Sequence, residues 1–201
     1  MAHAYSLAVQ PLLDRVVDAI ENVVTGVPES RERSVDDPGA AAHRLARKAA
    51  TRAAALSGAL ALPPGALGLL TVLPDLVAIW RIQAQMVADI AGLYGKDMQL
   101  TRSHMLYCLF RHAASQLTRD FAVRAGERFV IRGLSGGALR SVLTSVGISV
   151  TQRAAGTAAS RWLPVVGAVA VAGYAYFDTL QVAKTAMKML ETKAFEVDKE
   201  A

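Results

Sequence analysis

The segment from Leu73 to Asp97, LPDLVAIWRIQAQMVADIAGLYGKD, restricts the fold more than any other part of the chain. Its apolar residues follow helical spacing, yet Asp75, Arg81, Gln83, Gln85 and Asp89 interrupt them. Arg81, Gln85 and Asp89 are spaced four apart and share one helix face, whereas Gln83 lies roughly opposite Arg81. A lipid-facing helix cannot show polar groups on two sides, because an unpaired polar group in hydrocarbon is costly. A helix sheathed by other protein can, provided each group meets a partner. The spacing therefore predicts the central helix of a domain, starting near Leu73 or Pro74 and capped by Gly95. Asp75 would sit at the positive end of its dipole. Asp75, Arg81, Gln83, Gln85 and Asp89 form a candidate buried polar ladder, and the arginines of residues 98–161 are its expected partners.

The remaining segments also read as helices. Tyr5 to Thr25 places Leu12, Leu13, Val16, Val17, Ile20 and Val23 at helical spacing, and Gly26 and Pro28 end it. Glu29 to Gly39 reads as a charged loop, and Ala40 to Leu62 as an alanine-rich helix broken by Pro63-Pro64-Gly65. Gln99 to Val130 reads as one or two helices with a join near Gly126. Gly133 to Ser160 is rich in small residues, with a break at Ser135-Gly136-Gly137 followed by a closely packed helix. Trp162 to Phe177 is uncharged and leads into a last helix ending near Thr192. No strand alternation or hairpin signal stands out, so the predicted class is all-α. The expected architecture is a multi-helix domain with a buried central helix and Gly/Ala-rich close-packed neighbours. Residues 1–38 are expected to form an acidic helix and loop, 39–192 the main helical domain, and 193–201 a charged tail.

Charge is unevenly spread behind a net +5. Residues 1–38 hold seven acids against three bases, whereas residues 98–161 hold nine arginines against Asp120 and Glu127. Arg44, Arg47, Lys48 and Arg52 precede a run without charge, residues 53–74. A basic segment leading into an apolar one suits an interfacial helix on anionic lipid, and a solvated helix end reads equally well. The run reaches spanning length only by crossing Pro63-Pro64-Gly65, and Trp162 to Phe177 is too short to span. The two runs suit an apolar hairpin dipping into one leaflet, or the core. Basic charge also suits nucleic acid, but a recognition-helix motif and an aromatic stacking platform are missing, so nucleic acid is not an expected partner.

His104, Cys108 and His112 recur every fourth residue in SHMLYCLFRHAAS and share a helix face. Imidazole and thiolate both suit zinc, but three ligands in one row do not readily close a tetrahedron, and no fourth is identifiable. As a nucleophile, Cys108 would need a depressed pKa, which its apolar neighbours oppose. A buried face with satisfied histidines accounts for the same spacing. Gly133 to Gly137, GLSGG, lacks the lysine of a phosphate loop. No cofactor is expected. With one cysteine no intrachain disulfide forms, and the first residues lack a basic and then apolar leader pattern. The expected location is the cytoplasm, peripheral on the inner face of the cytoplasmic membrane.

Pro74-Asp75, Ile90-Ala91-x-x-Tyr94-Gly95 and Leu163-Pro164-Val165-Val166-Gly167, with GALGLLTV ahead of the central helix, resemble the EcsC protein family. The resemblance runs from about Ala40 onward; Asp178 departs from the asparagine-like residue expected there. It implies a bacterial, largely helical protein with a membrane link, one member being encoded beside an ABC transporter. It implies no catalytic residues. The leading expectation is a membrane- or lipid-associated binding or scaffold protein, accessory to a membrane transporter. Its partner would be anionic membrane lipid or an integral membrane protein, and homo-oligomerisation stays open. Two alternatives are a hydrolase-like enzyme using the polar ladder on a lipid or peptide, and a carrier of a hydrophobic ligand.

Overall fold

A computed structural model of the chain describes residues 2–60, 67–111, 122–125, 128–131, 144, 164–192 and 195–197. The class is all-α, with five helices packed against each other among the described residues. They are α1 (Ala2–Thr25), α2 (Pro38–Leu60), α3 (Leu67–Leu93), α4 (Arg102–Phe110) and α5 (Pro164–Glu191). Asp37 opens α2: its Oδ1 accepts the N–H of Ala40 at 3.1 Å, and Pro38 takes the first helical position, where no donor is needed. The helix thus starts two residues before the position predicted.

The central helix is also longer than predicted. It begins at Leu67 and carries Pro74 inside it. Leucine favours helix on the N-terminal side of the proline, and Pro74 itself is exposed, which spares the core its ring. From Ile79 to Leu93 every residue except Arg81, Ile82 and Gln85 is buried. By length and composition Leu76–Leu93 could cross a bilayer, but 67% of it is buried inside the fold, as in the core helix of a domain.

One core joins all five helices. It takes Val16, Ile20 and Val24 from α1, Ala42 and Ala46 from α2, Trp80, Val87 and Ile90 from α3, Leu106 and Phe110 from α4, and Val182 and Ala186 from α5. The N-terminal segment thus belongs to the same core as the rest. Trp80 meets the edge of Phe110 at 5.3 Å between ring centroids, a favoured aromatic geometry.

Helix directions follow from the contacts. Ile79 packs with Ala175, Gln83 bonds Asp178 and Thr179, and Tyr94 Oη donates to Glu191 at 3.0 Å, so α3 and α5 run parallel. Ala53 packs in the Ile79–Ala175 cluster, while a Cβ on Gly58 would meet Ala172 Cβ at 3.4 Å, so α2 runs antiparallel to both. The end of α2 and the starts of α3 and α5 therefore lie at one end of the bundle.

Two stretches depart from the predicted all-helical pattern. Ala122–Ala125 (β1) and Arg128–Ile131 (β2) pair antiparallel, and Phe195–Val197 (β3) adds to β2 in parallel. One or two helices are predicted from Gln99 to Val130, and a charged tail over residues 193–201. The β-branched and aromatic residues of RFVI, two positions after AVRA, favour a ribbon, and in the tail Phe195 and Val197 flank Glu196 in strand alternation. Of the closely packed helix predicted within Gly133 to Ser160 only Thr144, which is helical, is described, and the Pro63-Pro64-Gly65 break lies outside the described residues.

Candidate functional site

The connector between α1 and α2 runs along the C-terminal half of α3 and supplies the partners of its polar face. Asp89 Oδ1 accepts the backbone N–H of Arg31 at 2.9 Å and Gln85 Nε2 at 2.8 Å. Gln85 Nε2 also donates to Glu29 O at 2.9 Å, and Val35 N–H to Leu93 O at 3.3 Å. Close approach needs Gly92: a Cβ there would sit 2.5 Å from Glu32 O and collide with the Ser30 hydroxyl. Gly95 ends the helix with φ +65°, the left-handed conformation a glycine cap supplies.

The predicted ladder therefore divides. Gln85 and Asp89 bind the connector. Gln83 is fully buried on the other side, donating from Nε2 to Asp178 Oδ2 at 2.8 Å and Thr179 Oγ1 at 3.2 Å. Its Oε1 is buried without a hydrogen-bond partner among the described residues. Arg81 is exposed and stands apart from the buried set. The Asp75 side chain lies outside the described residues. Arginines of residues 98–161 were the expected partners; the observed ones are connector backbone and α5 side chains.

Arg44, Arg47, Lys48 and Arg52 are all exposed on α2. Lys48 and Arg52 face Arg81, Gln85 and Asp89 of α3 across a cleft of about 580 Å³, which the connector closes with Arg31 and Glu32. The structure thus brings together half of the predicted basic helix and most of the predicted ladder. Arg44 and Arg47 do not line the cleft; Arg47 Nε donates to His43 O at 3.4 Å. The floor is apolar, with Val23, Leu45, Ala49, Ile82, Ala84 and Met86. Its volume falls in the range of small-molecule clefts, and its lining mixes apolar and charged side chains. Arg31, Lys48, Arg52 and Arg81 form no ion pair among the described residues, and they face two carboxylates, Glu32 and Asp89. Arg31 was not among the predicted site residues; nothing in a charged loop marks which of its cations will reach a helix groove.

His104 and Cys108 lie elsewhere, in the core. His104 occupies the third position of α4, where its Nδ1 accepts the Thr101 N–H at 3.1 Å in a capping box. Burial lowers its pKa to about 4, opposed in part by a hydrogen bond with the Gln99 backbone, so the imidazole is neutral. Cys108 is fully buried, and its Sγ lies 3.8 Å from Met189 Sδ. Burial pushes its thiol well above the ordinary range, with only slight relief from Arg111. A protonated, enclosed thiol is neither nucleophile nor metal ligand. His112 lies outside the described residues. Among the described residues no three of His, Cys, Asp and Glu are placed to hold a metal ion.

No family model, curated protein or solved structure matches the chain.

Proposed function

We propose that this protein is a membrane-associated binding or scaffold protein that sinks one end of its bundle into a single leaflet. The observation carrying this reading is the gathering of three uncharged helix ends on one side, with Val169 of α5 69% exposed near that end and Phe177 equally exposed midway along the helix, where its uncharged stretch stops. Ala53 to Leu60 of α2 and Leu67 to Pro74 of α3 hold no charge, and neither does α5 up to Phe177. Each stretch of α2 and α3 is about 12 Å long at the α-helical rise, within the roughly 15 Å of hydrocarbon in one leaflet.

Charge begins just beyond that end. Arg52 follows on α2, Asp75 and Arg81 on α3, and Asp178 on α5. On the outer stripe of α5, exposed Val169, Ala170, Tyr174 and Phe177 give way to exposed Gln181, Lys184 and Lys188. Arg44, Arg47, Lys48 and Arg52 lie level with this second half, at headgroup height. Aromatic residues at the boundary and basic residues behind it are the pattern of an interfacial anchor on anionic lipid. The resemblance to the EcsC family supports the same membrane link and service to a transporter.

Vesicle flotation tests it. Recovery is expected to rise with anionic lipid, fall with salt, and drop at least tenfold in V169D/F177D. Equal recovery with and without anionic lipid, at low and moderate salt, would overturn the reading.

A further inference from the structure

We infer that the cleft between α1, α2, α3 and their connector binds a phosphomonoester-bearing amphiphile, its phosphate among Arg31, Lys48, Arg52 and Arg81. This rests on the lipid-binding reading above and gives that reading a headgroup. Three observations converge. The four cations come from three separate elements, and none is ion-paired among the described residues. An anion entering the cleft would be attracted by all four. Second, the opposing carboxylates are two, Glu32 and Asp89, and Asp89 Oδ1 already accepts from Arg31 N–H and Gln85. The excess of two positive charges matches a phosphomonoester, which carries about −1.5 to −2 at neutral pH. Three arginines add fork-shaped donors suited to phosphate oxygens.

Third, the floor is not that of a purely ionic site. Leu45, Ala49, Ile82 and Met86 line the same cleft as the cations and offer apolar surface. Inorganic phosphate leaves that surface wet; a ligand with an alkyl portion covers it. The walls are also held in place: the hydrogen bonds of Asp89 with Arg31 N–H and Gln85, and the close approach at Gly92, fix the connector against α3. The cations are thus presented on a settled frame, which lowers the ordering cost of binding.

Isothermal titration with dioctanoyl phosphatidic acid, below its micelle concentration, tests the inference on the full chain. Dioctanoyl glycerol is the uncharged control, without the phosphate head, and inorganic phosphate the tailless one. Wild type is expected to bind the phosphatidic acid at least tenfold tighter than phosphate and not to bind dioctanoyl glycerol. K48Q/R81Q is expected to lose tenfold or more toward phosphatidic acid while melting like wild type, since both side chains are exposed. Phosphate binding as tight as the lipid, lost in the same variant, supports the anion site and assigns it to soluble phosphomonoesters. Wild-type affinity in K48Q/R81Q, or equal affinity for dioctanoyl glycerol, overturns the inference. Flotation separates the two readings: a chain that titrates through the cleft but does not float removes leaflet insertion alone, and a chain that floats while K48Q/R81Q titrates unchanged removes the cleft alone.

Discussion

The backbone N–H of Arg31 donates to Asp89 Oδ1 at 2.9 Å across 58 residues of sequence, clasping the first interhelical connector to the central helix. A buried carboxylate accepting a backbone donor is worth more than a neutral bond, and deleting it strands the donor. Asp89→Ala is expected to cost about 2–3 kcal/mol. Gln85→Leu, which removes the donation to Glu29 O and Asp89, is expected to cost about 1–2 kcal/mol. Urea denaturation measures both; unchanged midpoints in both variants would show that the clasp contributes nothing.

Gly92 admits the same connector from below. Gly92→Ala would drive a methyl group into Ser30 and Glu32 O, and part of that obstruction is backbone that cannot swing aside. The expected loss is about 1–3 kcal/mol, with the connector's amides exchanging faster with solvent deuterium than in wild type. A variant as stable as wild type, with unchanged exchange at residues 30–35, would contradict the packing described.

Folding lowers the pKa of His104 from 6.5 to about 4, chiefly by burial. The unfolded chain therefore binds the proton more tightly than the folded one. The stability contributed by the neutral imidazole is complete above pH 6.5 and is lost as pH falls from 6.5 toward 4, by roughly 3 kcal/mol in all. Below about 4 both states are protonated and the loss stops growing. His104→Gln keeps a capping-box acceptor for Thr101 N–H without the titration. Its stability is expected to be flatter across that window, read by thermal melts at half-unit pH steps.

Cys108 is expected to resist thiol reagents in the native protein and to react fully in denaturant, since burial holds the thiol protonated and enclosed. Labelling with a chromogenic disulfide at neutral pH reads this directly. Fast native labelling would place the thiol at the surface and reopen a reactive role.

Periodicity exposed the helices and the central place of α3, because burial on several sides leaves a direct mark in residue type. The partners of the ladder left no such mark. Asp89 is satisfied by a backbone N–H, and every residue but proline has one, so nothing in the identity of Arg31 announces the bond. Spacing placed Arg81 on the face of Gln85 and Asp89, but the height at which the connector leaves that face is a tertiary fact. For the same reason Lys48 and Arg52 read as an isolated basic helix until α2 and α3 met across the cleft. The ribbon of β1 and β2 was hidden among arginines, two of which, Arg124 and Arg128, lie within its strands. β3 escaped notice because its partner strand lies more than 60 residues earlier in the chain.

Pro74 has a mechanical consequence. Without an N–H it leaves the Leu70 carbonyl without its helical donor, one missing rung between the clasped half of α3 and the uncharged half. The stiffness of a helix resides in those rungs, so α3 yields most easily there. Any tilt of the first turns of α3 against the rest of the helix is absorbed between Leu70 and Pro74, leaving Arg81 and Asp89 in register with α2.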